Sequence, residues 1–420
     1  MTQKICRKAL SAVLSVFHRS KLAALLTTLA IAALFSTARP ADAGKPARQE
    51  ALKPSLADQS PLANSHSIPS TPVDPSRSVT LTGFGSAETV FHYTTDHCDP
   101  YEIPDAPARA FRDAQGTVNL VVGIDTTRRW VGASLDSVVH QCPVVYDSHR
   151  DIQQMNSRYR EWFLAPYTVD GLHVYTIIHN EWYGNLIAGS QCGADDQVNG
   201  WVNASTLAAS HDGGATFIQP SDYIIRFSTT PFSPSFPCTA AHPTRYGYDL
   251  FGTNIVAKDG YYYRFADYIS DPGTPFRHDE CLMRTQDVSS ASAWETWMGN
   301  DYIKSKTTPC QAVANLSTNI WSLTYNTYLH LYVAVGGGSA DWIDPGEFFF
   351  QTSPDLMTWS SPVNITGIDS IHVLEYPSLI DPADTSRNFE NTGQMPYLYY
   401  SRVNKDGTRD LVRAQVKFAR

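Results

Sequence analysis

Two short stretches of this chain concentrate side chains suited to acid–base chemistry. The first runs from His97 to Arg109 and packs His97, Asp99, Glu102, Asp105 and Arg109 into thirteen residues. On an extended chain Asp105, Pro107 and Arg109 share one face. An arginine on that face would pair with Asp105 and suit its carboxylate to act as base or nucleophile. The second stretch is Tyr175-Thr176-Ile177-Ile178-His179-Asn180-Glu181-Trp182. Alternation puts His179 and Glu181 on one strand face at the end of an apolar run. A glutamate beside a tryptophan in such a setting suits a general acid. Asn254, Asn319 and Glu375 stand at comparable places further on, each at the start of an apolar strand-like run. The asparagines suit hydrogen bonding to a ligand hydroxyl. Glu375 offers a further acid, with Tyr376 and Ser378 expected on the alternate face.

The elements that must position these groups are legible from a repeat. A hydroxyl residue stands two positions before an aspartate at Ser134/Asp136, Ser210/Asp212, Thr285/Asp287 and Ser353/Asp355, spaced 76, 75 and 68 residues apart. Only the second copy is complete, Ser-His-Asp-Gly-Gly-Ala-Thr-Phe over 210–217. Such a unit is a turn device: Asp and Ser oxygens accept backbone N–H groups two residues on, and glycine supplies positive φ. The four aspartates are therefore expected to be structural and peripheral. Asp113–Gly116, Asp170-Gly171, Asp259-Gly260 and Tyr325-Asn326 mark a second landmark, a hairpin between aromatic-rich runs in each unit. Together they predict an all-β chain of four-stranded antiparallel blades at about 103–147, 162–222, 246–300 and 316–365, with a fifth starting at Glu375. The chain ends before the fifth blade's outermost strand, so residues 78–92 are expected to supply it and close a five-bladed β-propeller. A two-sheet sandwich is the competing fold, though a 70-residue period is foreign to it.

Composition bounds the class. A basic start, an apolar run over 22–35 and Ala41-Asp42-Ala43 read as an export signal over residues 1–43, with retention as an anchor the alternative. Cleavage takes away six basic residues and one acid, moving the net charge from −9 to −14. That balance argues against a nucleic-acid partner. No other segment is long and apolar enough to cross a bilayer, so no membrane association is expected after cleavage. Residues 44–77 are Pro/Ser-rich and read as a disordered linker, leaving 78–420 as the folded domain. The six cysteines beyond Cys6 are scattered, which favours disulfides, in any of 15 connectivities, over structural zinc. The chain is thus expected to be secreted or periplasmic, bacterial and monomeric. Its sequons at Asn203, Asn315 and Asn364 are discounted on that ground.

With these residues in place the chain resembles the five-bladed β-propeller glycoside hydrolases of the arabinanase, xylosidase and invertase type. The resemblance rests on Asp105 at the first inner strand, the Asp-Gly hairpins and Ser353-Pro-Asp-Leu-Met-Thr-Trp359. Residues 210–217 match the Asp box of sialidases. The first resemblance implies a base or nucleophile at Asp105, an auxiliary aspartate in blade two and an acid glutamate in blade three. Only Asp105 maps, and Glu181 lies one blade early. The expectation is therefore a secreted glycosidase with Asp105 and Glu181 catalytic and Arg109, His179, Asn254, Asn319 and Glu375 binding the carbohydrate. A non-catalytic carbohydrate-binding propeller is the alternative. A third reading places calcium or manganese in the central channel, held by His97, Asp99, Asp105, His179 and Glu181. No cofactor is certain.

Overall fold

The computed structural model describes residues 78–193, 200–239, 242–337 and 347–420. The export signal, the linker and Cys6 lie outside them. The described chain is all-β with antiparallel pairing almost throughout, as the hairpin pattern predicts.

In chain order the strands are β1 (Thr80–Phe91), β2 (Arg109–Arg112), β3 (Val118–Val122), β4 (Thr126–Gly132), β5 (Val139–Asp147), β6 (Arg160–Thr168), β7 (Val174–Tyr183), β8 (Trp201–Ser210) and β9 (Ile224–Arg226). There follow β10 (Cys238–Thr239), β11 (His242–Pro243), β12 (Arg245–Gly252), β13 (Val256–Lys258), β14 (Tyr261–Ile269), β15 (His278–Thr285), β16 (Glu295–Trp297) and β17 (Tyr302–Ile303). The last are β18 (Ile320–Asn326), β19 (Leu331–Gly336), β20 (Phe349–Ser353), β21 (Val363–Asn364), β22 (Leu374–Ile380), β23 (Asn391–Thr392), β24 (Tyr397–Val403) and β25 (Arg409–Ala419).

Each sequence unit folds as a consecutive antiparallel set: β2–β5, β6–β9, β12–β17, β18–β21 and β22–β24–β25. The last set gains β1, which pairs with β25 from Thr80↔Ala419 to Phe91↔Leu411. The second and third sets are joined where β12 runs parallel to β8 over three residues. Gly247 permits this approach: at φ 109° it lies so close to Asn203 that a Cβ would sit 2.2 Å from the Asn203 carbonyl oxygen.

The repeated turns behave as the sequence predicts in the second, third and fourth copies; in the third, Asp287 accepts the Ser289 amide at 2.9 Å. Asp212 accepts the Ala215 and Thr216 amides at 3.0 Å each, and Phe217 packs edge-on against Phe163. Asp355 accepts Met357 and Thr358, and Trp359 packs on Phe265. Asp136 departs from the pattern: it pairs with Arg413 at 2.9 Å and accepts from Tyr397. The hairpin expected at Tyr325-Asn326 falls later, because β18 continues through both residues and His330 takes the left-handed conformation.

The first strands of all five sets come within reach of one side chain. Arg109 opens β2 and is 4% exposed. Its guanidinium donates to the carbonyls of Ala108, Leu164, Gly252 and Trp321 and to Ser378 Oγ, at 2.6–3.2 Å. At the far ends of these strands, residues 381–393 lie across the gap between them. Asn388 bonds both backbone groups of Thr168, Arg387 bonds the Asp113 carbonyl, and Asn326 bonds the Gly393 carbonyl. Three disulfides tie neighbours in sequence, Cys98–Cys142, Cys192–Cys238 and Cys281–Cys310. That selects one of the connectivities the sequence left open.

Candidate functional site

Asp105 sits on an irregular segment just before β2, so strand alternation does not govern it. Its carboxylate takes three donors from two other sets. Trp162 Nε1 reaches Oδ2 at 3.0 Å, and Tyr376 OH and Arg409 reach Oδ1 at 3.0 Å each. The pairing expected with Arg109 is thus corrected. Arg109 enters the strand bundle, is bound by carbonyls, and is pulled down to about 9 by burial and by the charge of Arg264. Arg409, two residues beyond Gly407 in the last hairpin, is the arginine of Asp105.

Arg409 also binds Glu375 Oε2 through Nε at 2.6 Å. Two carboxylates on one guanidinium lie closer than the roughly 9.5 Å upper bound for paired glycosidase carboxylates. Burial raises the Glu375 carboxyl above its ordinary value; Arg409 opposes that rise and the charge of Asp105 adds to it. Tyr376 reaches the same place, against the expected alternation. Its φ of 59° and the register shift between Glu375 and Ser378 turn its ring toward Asp105. Burial, then the charges of Asp105 and Glu375, raise its phenol well above the usual range. Its ring packs on Trp321 with centroids 5.2 Å apart. Trp321, Tyr376, Tyr183, Trp201 and Tyr159 form one aromatic cluster drawn from several sets.

Glu181 joins this group through Tyr183, a member of the same aromatic cluster, and its carboxylate is held on both sides. His179 Nε2 contacts Oε1 at 3.0 Å, and the Tyr183 hydroxyl donates to Oε2. The shared strand face predicted for His179 and Glu181 is present, but at 6% and 9% exposure they lie inside the rim. Burial opposes a charge on His179; the bond to Glu181 and that residue's charge outweigh it and raise the imidazole. The His179 ring lies 5.5 Å from Trp162, which links this group to Asp105. Arg160 completes the wall, over the Trp162 ring at 4.9 Å and paired with Asp125 at 2.7 Å.

Behind His179 lies an acidic group of which the sequence signals only Asp249. Asp249 and Arg264, both fully buried, form a two-pronged pair at 2.6 and 2.8 Å. Asp267 contacts His278 at 3.1 Å. Glu280 accepts the Ile320 amide at 3.2 Å, and burial followed by the charge of Asp267 raises it well above the carboxylate range. The only sequence signal was Tyr246-Gly247-Tyr248-Asp249, where the glycine marks a tight backbone approach.

The remaining predicted residues serve the framework. Asn254 spends both amide groups on Leu323, donating to its carbonyl at 2.7 Å and accepting its N–H at 2.9 Å. Asn319 is buried at φ 63° where β18 begins. The five proposed ion ligands do not converge. His97 bonds the Tyr93 carbonyl and Asp99 pairs with Arg128, while Asp105 belongs to Arg409. Cys98, Glu102 and His140 lie within 4.8 Å of one another, but the Cys98 sulfur is spent in its disulfide. The carbonyls of Leu164, Gly252 and Trp321, which would suit a hard cation at the centre, are taken by Arg109.

No family model matches the chain, and no curated protein matches it. No helix among the described residues is long and apolar enough to cross a membrane. Solved structures with a similar arrangement exist at low identity. A protein of unknown function from Dyadobacter fermentans is 9% identical with a TM-score of 0.41, covering 80% of this chain and all of that one. A GH32 beta-fructofuranosidase from Bombyx mori is 11% identical with a TM-score of 0.42, over 73% of this chain and 58% of that one. An alpha-L-arabinanase from Cellvibrio cellulosa is 9% identical with a TM-score of 0.41, over 70% and 86%.

Proposed function

We propose that the five strand sets are the blades of a propeller closed by β1, and that the chain is a secreted glycoside hydrolase. The observation that carries this reading is the pair Asp105 and Glu375, on different sets, bridged by Arg409 beneath an aromatic cluster. Glycosidic cleavage needs two carboxyl groups in different states, one to protonate the leaving oxygen and one to act as base or nucleophile. Glu375, raised by burial, is assigned the acid, and Asp105, fixed by three donors, the base or nucleophile. Glu181 is reassigned from acid to positioning, since His179 and Tyr183 hold both its oxygens. Aromatic rings beside the pair supply the faces on which sugar rings stack. The Arg109 hub, touching the first strand of every set, supports a five-fold closed arrangement. Three disulfides support an exported protein.

A carbohydrate-binding protein without turnover is the second reading, favoured by the fact that both Asp105 oxygens already have protein donors. Screening the mature protein against aryl-glycosides and polysaccharides separates the two. Turnover that Asp105→Asn abolishes supports the enzyme; sugar binding without turnover, unchanged in that variant, supports the binder.

A further inference from the structure

A cavity opens at the same end of the last strand set. It holds about 430 Å³, within the range of small-ligand sites, and its lining side chains are all polar. His92, His372, Arg402, Lys405, Asp406 and Asp410 dominate it. Asp410 directly follows Arg409, and Leu374 separates His372 and Val373 from Glu375. Strand alternation therefore places Arg402 and Asp410 on the sheet face opposite Arg409, across the same hairpin edge.

Most acceptors of this cavity are spent, whereas several of its donors are not. Asp410 takes the Tyr93 amide at 2.9 Å, Arg402 at 3.0 Å and Asn404 at 3.2 Å. Asp406 takes the amide and hydroxyl of Thr408 on Oδ1, leaving Oδ2 as the cavity's one open carboxylate oxygen among the described contacts. Lys405 is exposed and has no carboxylate partner among the described residues. Arg402 uses one terminal nitrogen, on Asp410 and Thr89, out of five guanidinium donors. His92 and His372 each engage Nδ1, with Thr94 at 2.9 Å and Asp369 at 2.6 Å. A ligand that complements this surplus of donors must bring acceptors, above all a carboxylate.

We infer that the cavity is a subsite for an acidic sugar residue, whose carboxylate meets Lys405 and Arg402 while its hydroxyls meet the histidines and Asn404. The inference deepens the carbohydrate reading and rests on it for the ligand's identity. It names an acidic polysaccharide, draped over the 404–408 hairpin, as the substrate class.

Calorimetric titration of the mature protein with trigalacturonate and with neutral galactotriose tests this. The acidic trimer is expected to bind about tenfold more tightly, and Lys405→Glu to weaken it about tenfold while leaving the neutral trimer unchanged. Lys405 is an exposed hairpin residue, so the variant folds; circular dichroism verifies it. Equal affinity for the two trimers, or indifference of the acidic one to Lys405→Glu, overturns the inference. Displacement of trigalacturonate by millimolar sulfate also overturns it, since that marks a plain anion site. Failure of the catalytic reading looks different: trigalacturonate then binds through Lys405, but no glycoside is turned over.

Discussion

Replacing Arg264 by methionine isolates the buried pair behind the candidate site. Arg264 and Asp249 are both fully buried and joined by two bonds at 2.6 and 2.8 Å, with Ser205 as a further donor to Asp249. Removing the guanidinium leaves an unpaired carboxylate in the interior, a loss of about 3–5 kcal/mol. One effect opposes this: Arg264 repels the buried Arg109, and that repulsion vanishes. The net expectation is a loss of about 3 kcal/mol, read as the urea-unfolding free energy of the mature protein. Adding Asp249→Asn removes the stranded charge. Asparagine tolerates the φ of 65° at this position and still accepts from Ser205. The double variant should recover most of the loss, giving a large coupling in the mutant cycle. A single-variant loss below about 1 kcal/mol, or a double variant no better than the single one, refutes the reasoning.

Glu390, at the opposite end of the strand bundle, is raised by burial to about 7, despite accepting the Ala257 amide at 2.6 Å. A carboxyl whose folded value lies above its unfolded one favours the fold in its neutral form. Its contribution is therefore present below about pH 4.5 and lost as pH rises through about 7, at most about 3 kcal/mol. Glu390→Gln should flatten the fall in stability between pH 5 and 8, and an unchanged slope counts against this. Because Arg109 occupies the central carbonyls, a chelator is expected to leave the melting temperature unmoved; a drop of about 5 °C or more would expose a missed ion. A cavity of about 10 Å³ lined by Asn180 and Asn203 adjoins Glu181, and both Asn203 side-chain polar atoms are buried without partners. It should hold one ordered water bonded to Asn203 in a high-resolution crystal structure, and a dry cavity there contradicts the assignment.

The strand pattern was legible because its signals are local. Asp212 and Asp355 bond amides only a few residues on, so the repeat, the set boundaries and the pairing of β1 with β25 could be read from spacing. The site was only half legible, because its contacts join distant segments. Tyr376 meets Asp105 across 271 residues, and no periodicity encodes that. Alternation misled at Asp105 and Arg109, since regular strand begins only at Arg109 and the preceding segment carries Pro100, Pro104 and Pro107. It misled again at Tyr376, where a left-handed residue breaks the period of two. It succeeded for His179 and Glu181, which lie on an unbroken strand.

Aryl-glycoside hydrolysis by the mature protein, beside Asp105→Asn and Glu375→Gln, tests the central claim most directly. The account predicts turnover by the unmodified protein and a loss of roughly 10²–10⁴-fold in each variant, with folding intact. It also predicts that the unmodified rate falls on the alkaline side, as Glu375 loses its proton. Turnover that survives both substitutions, or sugar binding with no turnover in any form, contradicts it.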